Sequence, residues 1–113
     1  MAAVYVSNLV INAGATFSQQ FDLAQNDDSA PLNLTGYTIV AQIRKHAGSS
    51  NHVGFTATAM DAANGVILIS LTPAQTTALK TGRHVYDIVI TDPAGDKTRV
   101  VEGSVLVREG VTR

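Results

Sequence analysis

The sequence predicts an all-β fold, an antiparallel β-sandwich of about seven strands with one short crossover helix. Three observations lead there. Apolar residues recur with period two through most of the chain. The segments that carry this period are rich in Val, Ile, Thr, Phe and Tyr, residues that suit a pleated, half-buried surface. Turn-forming Gly, Pro, Asn and Asp separate the segments at short intervals.

The elements follow in order. Residues 4–11, VYVSNLVI, form the first expected strand. In 15–23 the alternation puts Phe17, Gln19, Phe21 and Leu23 on one face. In 36–45 it groups Tyr37, Ile39, Ala41 and Ile43, with Thr38, Gln42 and Arg44 opposite. In 53–60 it groups Phe55, Ala57 and Ala59, and in 65–71 Ile67, Ile69 and Leu71. Residues 83–91 align Tyr86, Ile88 and Ile90, and 97–108 align Val101, Val105 and Val107. DAANG at 61–65 and DPAGD at 92–96 read as hairpin turns, with Gly65 and Gly95 at left-handed positions. NDDSAPLN at 26–33 and HAGSSNH at 46–52 read as polar loops between strands.

One stretch breaks the period. In TPAQTTALKTG, 72–82, Thr72 and Gln75 have the spacing of a capping box, and Pro73 suits the first helical turn. Gly82 suits the stop. Ala74, Ala78 and Leu79 fall on one side, so a helix of about two turns should cross between the sheets, held by packing of Leu79. No repeat or shift in composition divides the chain, which reads as one domain over 1–113. The tail EGVTR should project.

Composition limits the function. The 113 residues suffice for one hydrophobic core. With 45% apolar and 15% charged residues the chain should be globular. A net charge of −1 gives no cation excess for nucleic-acid phosphates. No apolar run is long enough to span a bilayer, and the low charge speaks against membrane-surface binding. MAAVYVSNLV lacks the positive start of a secretory signal. There is no cysteine, so disulfides and thiolate metal sites are excluded. The expectation is synthesis in a cytoplasm and stability from packing alone.

Chemistry is sparse. His46 and His52 flank a Gly/Ser loop with no third ligand type nearby in sequence, so they read as solvent-exposed loop histidines rather than a zinc site. His84 starts a strand, where edge packing or water contact is expected. Asp27, Asp28, Asp92 and Asp96 lie in loops and turns without the spacing of a calcium loop, and turn capping explains them better. Asp87 and Glu102 fall on the polar side, and Asp87 is placed to pair with Arg99 or Lys97 across a hairpin. Ser49 and Ser50 near His52 do not make a triad. No nucleophile elbow or phosphate loop occurs. No catalytic residue, metal or cofactor is expected, and a small-molecule ligand is not favoured.

The outward face is more informative. Val40, Val66, Leu68, Val85, Val89, Val100 and Leu106 all fall on solvent-side positions. Two readings stand. The helix and loops cover some of them or the register is off by one, or they form a contact surface for other chains. The first strand, with Val4 and Val6, is an apolar edge segment able to pair with a neighbour's sheet. Val111 and Arg113 in the tail are candidate contacts of the same kind.

LNLTGYTIVAQIRK (32–45) and NGVILISLTPAQTTALKTGRHVYDIVITDPAGDKTRVVEGSVLVREGVTR (64–113) together resemble small immunoglobulin-like domains of tailed-phage virion proteins. The pattern is similar to the N-terminal domain of siphophage upper baseplate proteins and to accessory domains of myovirus baseplates and tails. It covers about two-thirds of the chain and rests on Gly36, Tyr86, Asp87, Gly95 and Gly103. Tyr86 can bury its ring and bond its hydroxyl across a corner; Gly103 lets a strand bend or another backbone approach.

The resemblance implies an immunoglobulin-like sandwich with no enzymatic role. Such a domain attaches to tail, baseplate or capsid through sheet edges and termini. With Met1 to Arg113 read as complete, the expectation is a stand-alone structural subunit of the virion, made in the host cytoplasm. Its partners would be other virion proteins and copies of itself. A capsid decoration or cement protein and a carbohydrate-binding module are the alternatives. Whether residues 1–31 pair within the chain or with a neighbour stays open.

Overall fold

The computed structural model describes residues 5–23 and 32–111, with Tyr5 by its backbone alone. Val4, Arg113, Asp27, Asp28 and most of the 26–33 loop lie outside the described residues. The elements are β1 (Tyr5–Val6), β2 (Leu9–Asn12), β3 (Phe17–Asp22), β4 (Thr38–Arg44), β5 (Val53–Gly54) and β6 (Thr56–Asp61). They continue with β7 (Val66–Leu71), α1 (Pro73–Ala78), β8 (Gly82–Thr91) and β9 (Lys97–Arg108).

Two sheets face each other as a β-sandwich. The larger runs β1–β9–β8–β4–β5, with β2 also on β9, and the smaller runs β3–β7–β6. The period-two faces meet between them. Ile11, Ile43, Ile67, Ile69, Ile88, Val101 and Val105 are fully buried. Phe55 bridges two other rings, 6.0 Å from Phe17 and 6.2 Å from Tyr86. Both expected hairpins form, β6–β7 and β8–β9, and α1 carries the chain from the small sheet to the large one. At Gly65 the backbone is left-handed, φ 70°, and a Cβ would meet the Leu23 and Leu32 carbonyl oxygens at 2.6 Å. Only glycine fits there.

Two expected strands are each split in two. The 53–60 segment changes sheets at Phe55: β5 pairs with β4, and β6 with β7. The Phe55 amide donates to the Ala41 carbonyl, 2.9 Å, and marks the corner. The first strand breaks at Ser7–Asn8, and both halves pair with β9 in parallel, Val6 opposite Glu102 and Leu9 opposite Val105. The N-terminal strand therefore pairs within the chain, and the antiparallel rule expected throughout fails at this one seam. At the break Gly103 faces Ser7 so closely that a Cβ would collide with the Ser7 carbonyl group. The Ser7 amide donates to the Glu102 carbonyl, 2.9 Å, and the Asn8 side chain accepts from the Ser104 amide, 3.0 Å. The Tyr86 hydroxyl donates to the Ser7 carbonyl, 2.5 Å, which is the long-range corner bond expected of this tyrosine.

Two local expectations are corrected. Val100, expected outward, is fully buried together with Val101. The cause is a β-bulge: Ile88 faces Val101 while Val89 faces Arg99, so Val100 is the extra residue and the alternation skips a step. The helix has its capping box, with Thr72 and Gln75 each bonding the other's backbone amide. It ends at Leu79, however, and Gly82 opens β8 instead. Ala74 and Ala78 stay exposed, while Thr76 and Leu79 are buried. The Thr76 hydroxyl donates to the Ala15 carbonyl, 2.9 Å, and accepts from the Gly14 amide, 3.0 Å. It fastens the helix to the turn between β2 and β3.

Two substitutions test these joints. Thr76→Val leaves the part-buried Gly14 amide and Ala15 carbonyl without this partner and should lower stability by ~1–2 kcal/mol in urea titration. Gly103→Ala should cost ~1–3 kcal/mol, and hydrogen exchange should show protection lost first in residues 5–12. Unchanged protection there would mean that the seam does not depend on the glycine.

Candidate interface surfaces

The outer face of the larger sheet is built from side chains that alternate away from the core. A polar row crosses its middle, with Gln42 opposite Asp87 and Asp87 opposite Glu102. Arg99 reaches Asp87 at 3.2 Å, the pairing expected from the sequence, and Glu102 at 3.4 Å. These groups are largely solvated, so the pair is worth ~0.5 kcal/mol or less. Their ionic hydrogen bonds are directed at each other. An open depression of about 460 Å³ lies over the row, lined also by Arg44 and Val85.

The polar row divides the expected apolar face. Val40 and Val89 face each other on one side of it, Val40 exposed and Val89 half-buried. Val85 and Leu106, both exposed, lie on the other side. Val66 and Leu68 belong to the small sheet, half-buried, where Leu68 is flanked by Gln20 and Thr58. The expected residues thus occupy two opposite surfaces and form no single patch. Val111 is exposed beyond β9.

The N-terminal edge is where apolar side chains do gather. Val6 is 73% exposed and Val10 51%, and Val10 stands opposite the exposed Leu106 in the parallel ladder. Among the described residues no strand pairs with the outer edge of β1 and β2. Period two from Val6 reaches Val10, so the sequence carries the signal for this residue as it does for Val4 and Val6.

The histidines form the second cluster. His46, His52 and His84 line one depression of about 650 Å³ at the end of the sandwich where loop 45–52 meets the end of α1. His84 is buried rather than facing water. Its Nε2 lies 2.7 Å from the Lys80 carbonyl oxygen, which can only accept, so this nitrogen carries the proton. Arg44 holds the loop by donating to the Ser49 carbonyl at 2.6 Å. Among the described residues no group of three His, Asp or Glu is arranged to hold a metal ion. Also among them, no helix is long and apolar enough to cross a membrane.

The family description "LtfC-like, beta-sandwich domain" matches residues 4–108. The chain belongs to the LtfC-like β-sandwich family. Comparison of this LtfC-like chain with curated protein sequences gives no match. Among solved structures it is similar to the N-terminal domain of phage TP901-1 ORF48, with a TM-score of 0.57 at 12% identity, over 90% of this chain and 85% of that one. It is more distantly similar to the Listeria monocytogenes internalin-like protein lmo2027, TM-score 0.47 at 12% identity, over 95% of this chain and 28% of that one. A third likeness is to the SrpA adhesin of Streptococcus sanguinis, TM-score 0.49 at 13% identity, over 96% of this chain and 57% of that one. At these identities the likeness is one of fold. The LtfC-like sandwich is accordingly shared with a phage protein domain, as the sequence resemblance implied.

In this LtfC-like sandwich Tyr86 links the seam to the core, and burial pushes its hydroxyl above the usual phenol range. An unfolded tyrosine releases its proton near pH 10 (about 10 for the free side chain), while the folded one keeps it to higher pH. The resulting stability is fully present below about pH 10 and falls as pH rises above it. Tyr86→Phe should cost ~1 kcal/mol at neutral pH and show a shallower alkaline decline in urea titrations. Parallel alkaline curves for the two proteins would show that Tyr86 does not carry this dependence.

Proposed function

We propose that this LtfC-like domain is a non-catalytic structural component of a phage virion, placed in the tail or baseplate, that acts by binding neighbouring protein chains. The fold it shares with the N-terminal domain of phage TP901-1 ORF48 supports the phage context. The observation that carries the binding role is the N-terminal edge, where Val6, Val10 and Leu106 stand exposed and no described strand pairs with the outer side of β1 and β2. Side chains of this kind gain ~25 cal/mol per Å² when a partner removes them from water.

The described aromatic side chains favour a protein partner over a sugar. Sugar sites present exposed rings, whereas Phe17, Phe21 and Tyr37 pack on the core and Phe55 and Tyr86 lie within it. Copies of this chain and other virion proteins are both suitable neighbours. A capsid decoration role would use the same edge.

Immunogold labelling of particles from a phage carrying this gene tests the reading. Gold on the tail or baseplate supports it, gold on the capsid favours the decoration role, and particles free of the protein exclude both. Val6→Lys with Val10→Lys should leave stability within about 0.5 kcal/mol, since both side chains are exposed. The same double variant should sharply reduce incorporation into particles, measured by quantitative mass spectrometry.

A further inference from the structure

The two ends of the sandwich carry opposite charge. At the end where α1 enters β8, Lys45 and Lys80 line the depression that holds the histidines, with Arg44, bonded to the Ser49 carbonyl, and the exposed Arg83 on the adjoining strands. No carboxylate lines that depression; Arg108 and Glu109 follow at the same end, Glu109 on a neighbouring depression with Leu79 and Thr81, so cations still outnumber carboxylates there. Lys45 bonds a backbone carbonyl there, that of Arg83 at 2.9 Å, and among the described residues forms no ion pair. Loop hydroxyls and amides from Ser49, Ser50 and Asn51 complete a concave surface with the donors that a carboxylate requires.

The other end holds the β6–β7 and β8–β9 hairpins. Segment 32–37 joins them: the Leu34 amide donates to the Ala62 carbonyl, 2.7 Å, and a Cβ on Gly36 would touch Pro93. Asp22, Asp61, Asp92 and Asp96 lie at this end, with Lys97 as the one described cation of the two hairpin turns and their flanks. Asp92 is used within its turn, accepting from the Ala94 and Asp96 amides. Asp61 and Asp96 are exposed. The ten-residue strand β8 runs from one end to the other, about 30 Å. That distance exceeds the Debye length of ~8–10 Å at ordinary ionic strength, so the ends do not neutralise each other within one molecule.

We propose that copies of this chain associate head to tail, the basic depression of one receiving the acidic hairpin end, Asp61 and Asp96, of the next. The inference rests on the binding role proposed above and names the partner as a second copy. Two different surfaces meet, so the contact is heterologous and generates a ring or a filament rather than a closed twofold dimer.

Light scattering across protein concentration tests it. The mass should rise with concentration in about 0.01 M salt, where the Debye length is ~30 Å, and return to the monomer in about 1 M salt, where it is ~3 Å. Lys45→Gln with Lys80→Gln removes the basic end, and Asp61→Asn with Asp96→Asn removes the acidic end. Each variant alone should stay monomeric. An equimolar mixture should stop at twice the monomer mass, because each partner retains one complementary end. Circular dichroism melts check that both variants fold; if either does not, the salt response of the unmodified protein decides. A monomer at every concentration in low salt overturns the proposal. So does self-association that ignores salt or survives in either variant. A monomer that binds a polyglutamate peptide overturns it too, assigning the basic end to a different acidic partner. Particle labelling reads the virion role separately, so the two readings fail independently.

Discussion

The structure turns on the close approach of Ser7 to Gly103. A parallel pair cannot be made by a hairpin, so the first strand reaches the last one only across the whole chain. The missing side chain at Gly103 lets the Ser7 backbone settle against β9. Asn8 then supplies with its side chain the acceptor for the Ser104 amide, and the Ser7 carbonyl is taken by the Tyr86 hydroxyl from β8. One small volume thus joins the N-terminus, the C-terminal strand and the central strand of the larger sheet. It also decides which side chains become the edge, because the ladder that follows sets Val10 beside Leu106.

Local physics was legible in the sequence. Strand alternation, the DAANG and DPAGD turns and the Thr72–Gln75 box each depend on residues a few positions apart, and each formed as read. What stayed hidden depends on partners far away in sequence. Val100 obeys period two until β8 imposes a bulge on β9, and no local feature of 97–108 announces it. Phe55 looks like any inward residue of a strand, yet it is where the chain changes sheets. Thr76 reads as a neutral helix residue, and its importance comes from Gly14 and Ala15, about sixty positions earlier. Parallel pairing of the first strand leaves no signature in composition.

The candidate surfaces divide the same way. Alternation correctly pointed Val40, Val85 and Leu106 outward. It could not say which of them would be neighbours, because that is a matter of strand order. Strand order separates Val66 and Leu68 from the others by the thickness of the sandwich, and it puts an ionic row between Val40 and Val85. The histidines show the reverse case. His46 and His52 lie in one loop and His84 starts a distant strand, but the loop folds over the end of β8 and gathers them with Lys45 and Lys80. Charge that is balanced over the whole chain is therefore unbalanced in space.

This separation bears on how such a domain can choose its neighbours. The outer edge of the larger sheet is apolar but short, with strands of two and four residues parted at Ser7–Asn8. Short interrupted edges are poor templates for adding a strand. Any contact made there would depend on the side chains of Val6, Val10 and Leu106, which gain free energy from burial but tolerate many orientations. The charged ends have the opposite character. Solvated ion pairs contribute little net affinity, yet like ends repel and unlike ends attract, which fixes polarity and register. An apolar edge that holds and two unlike ends that orient would together give a directional assembly, with neither feature sufficient alone.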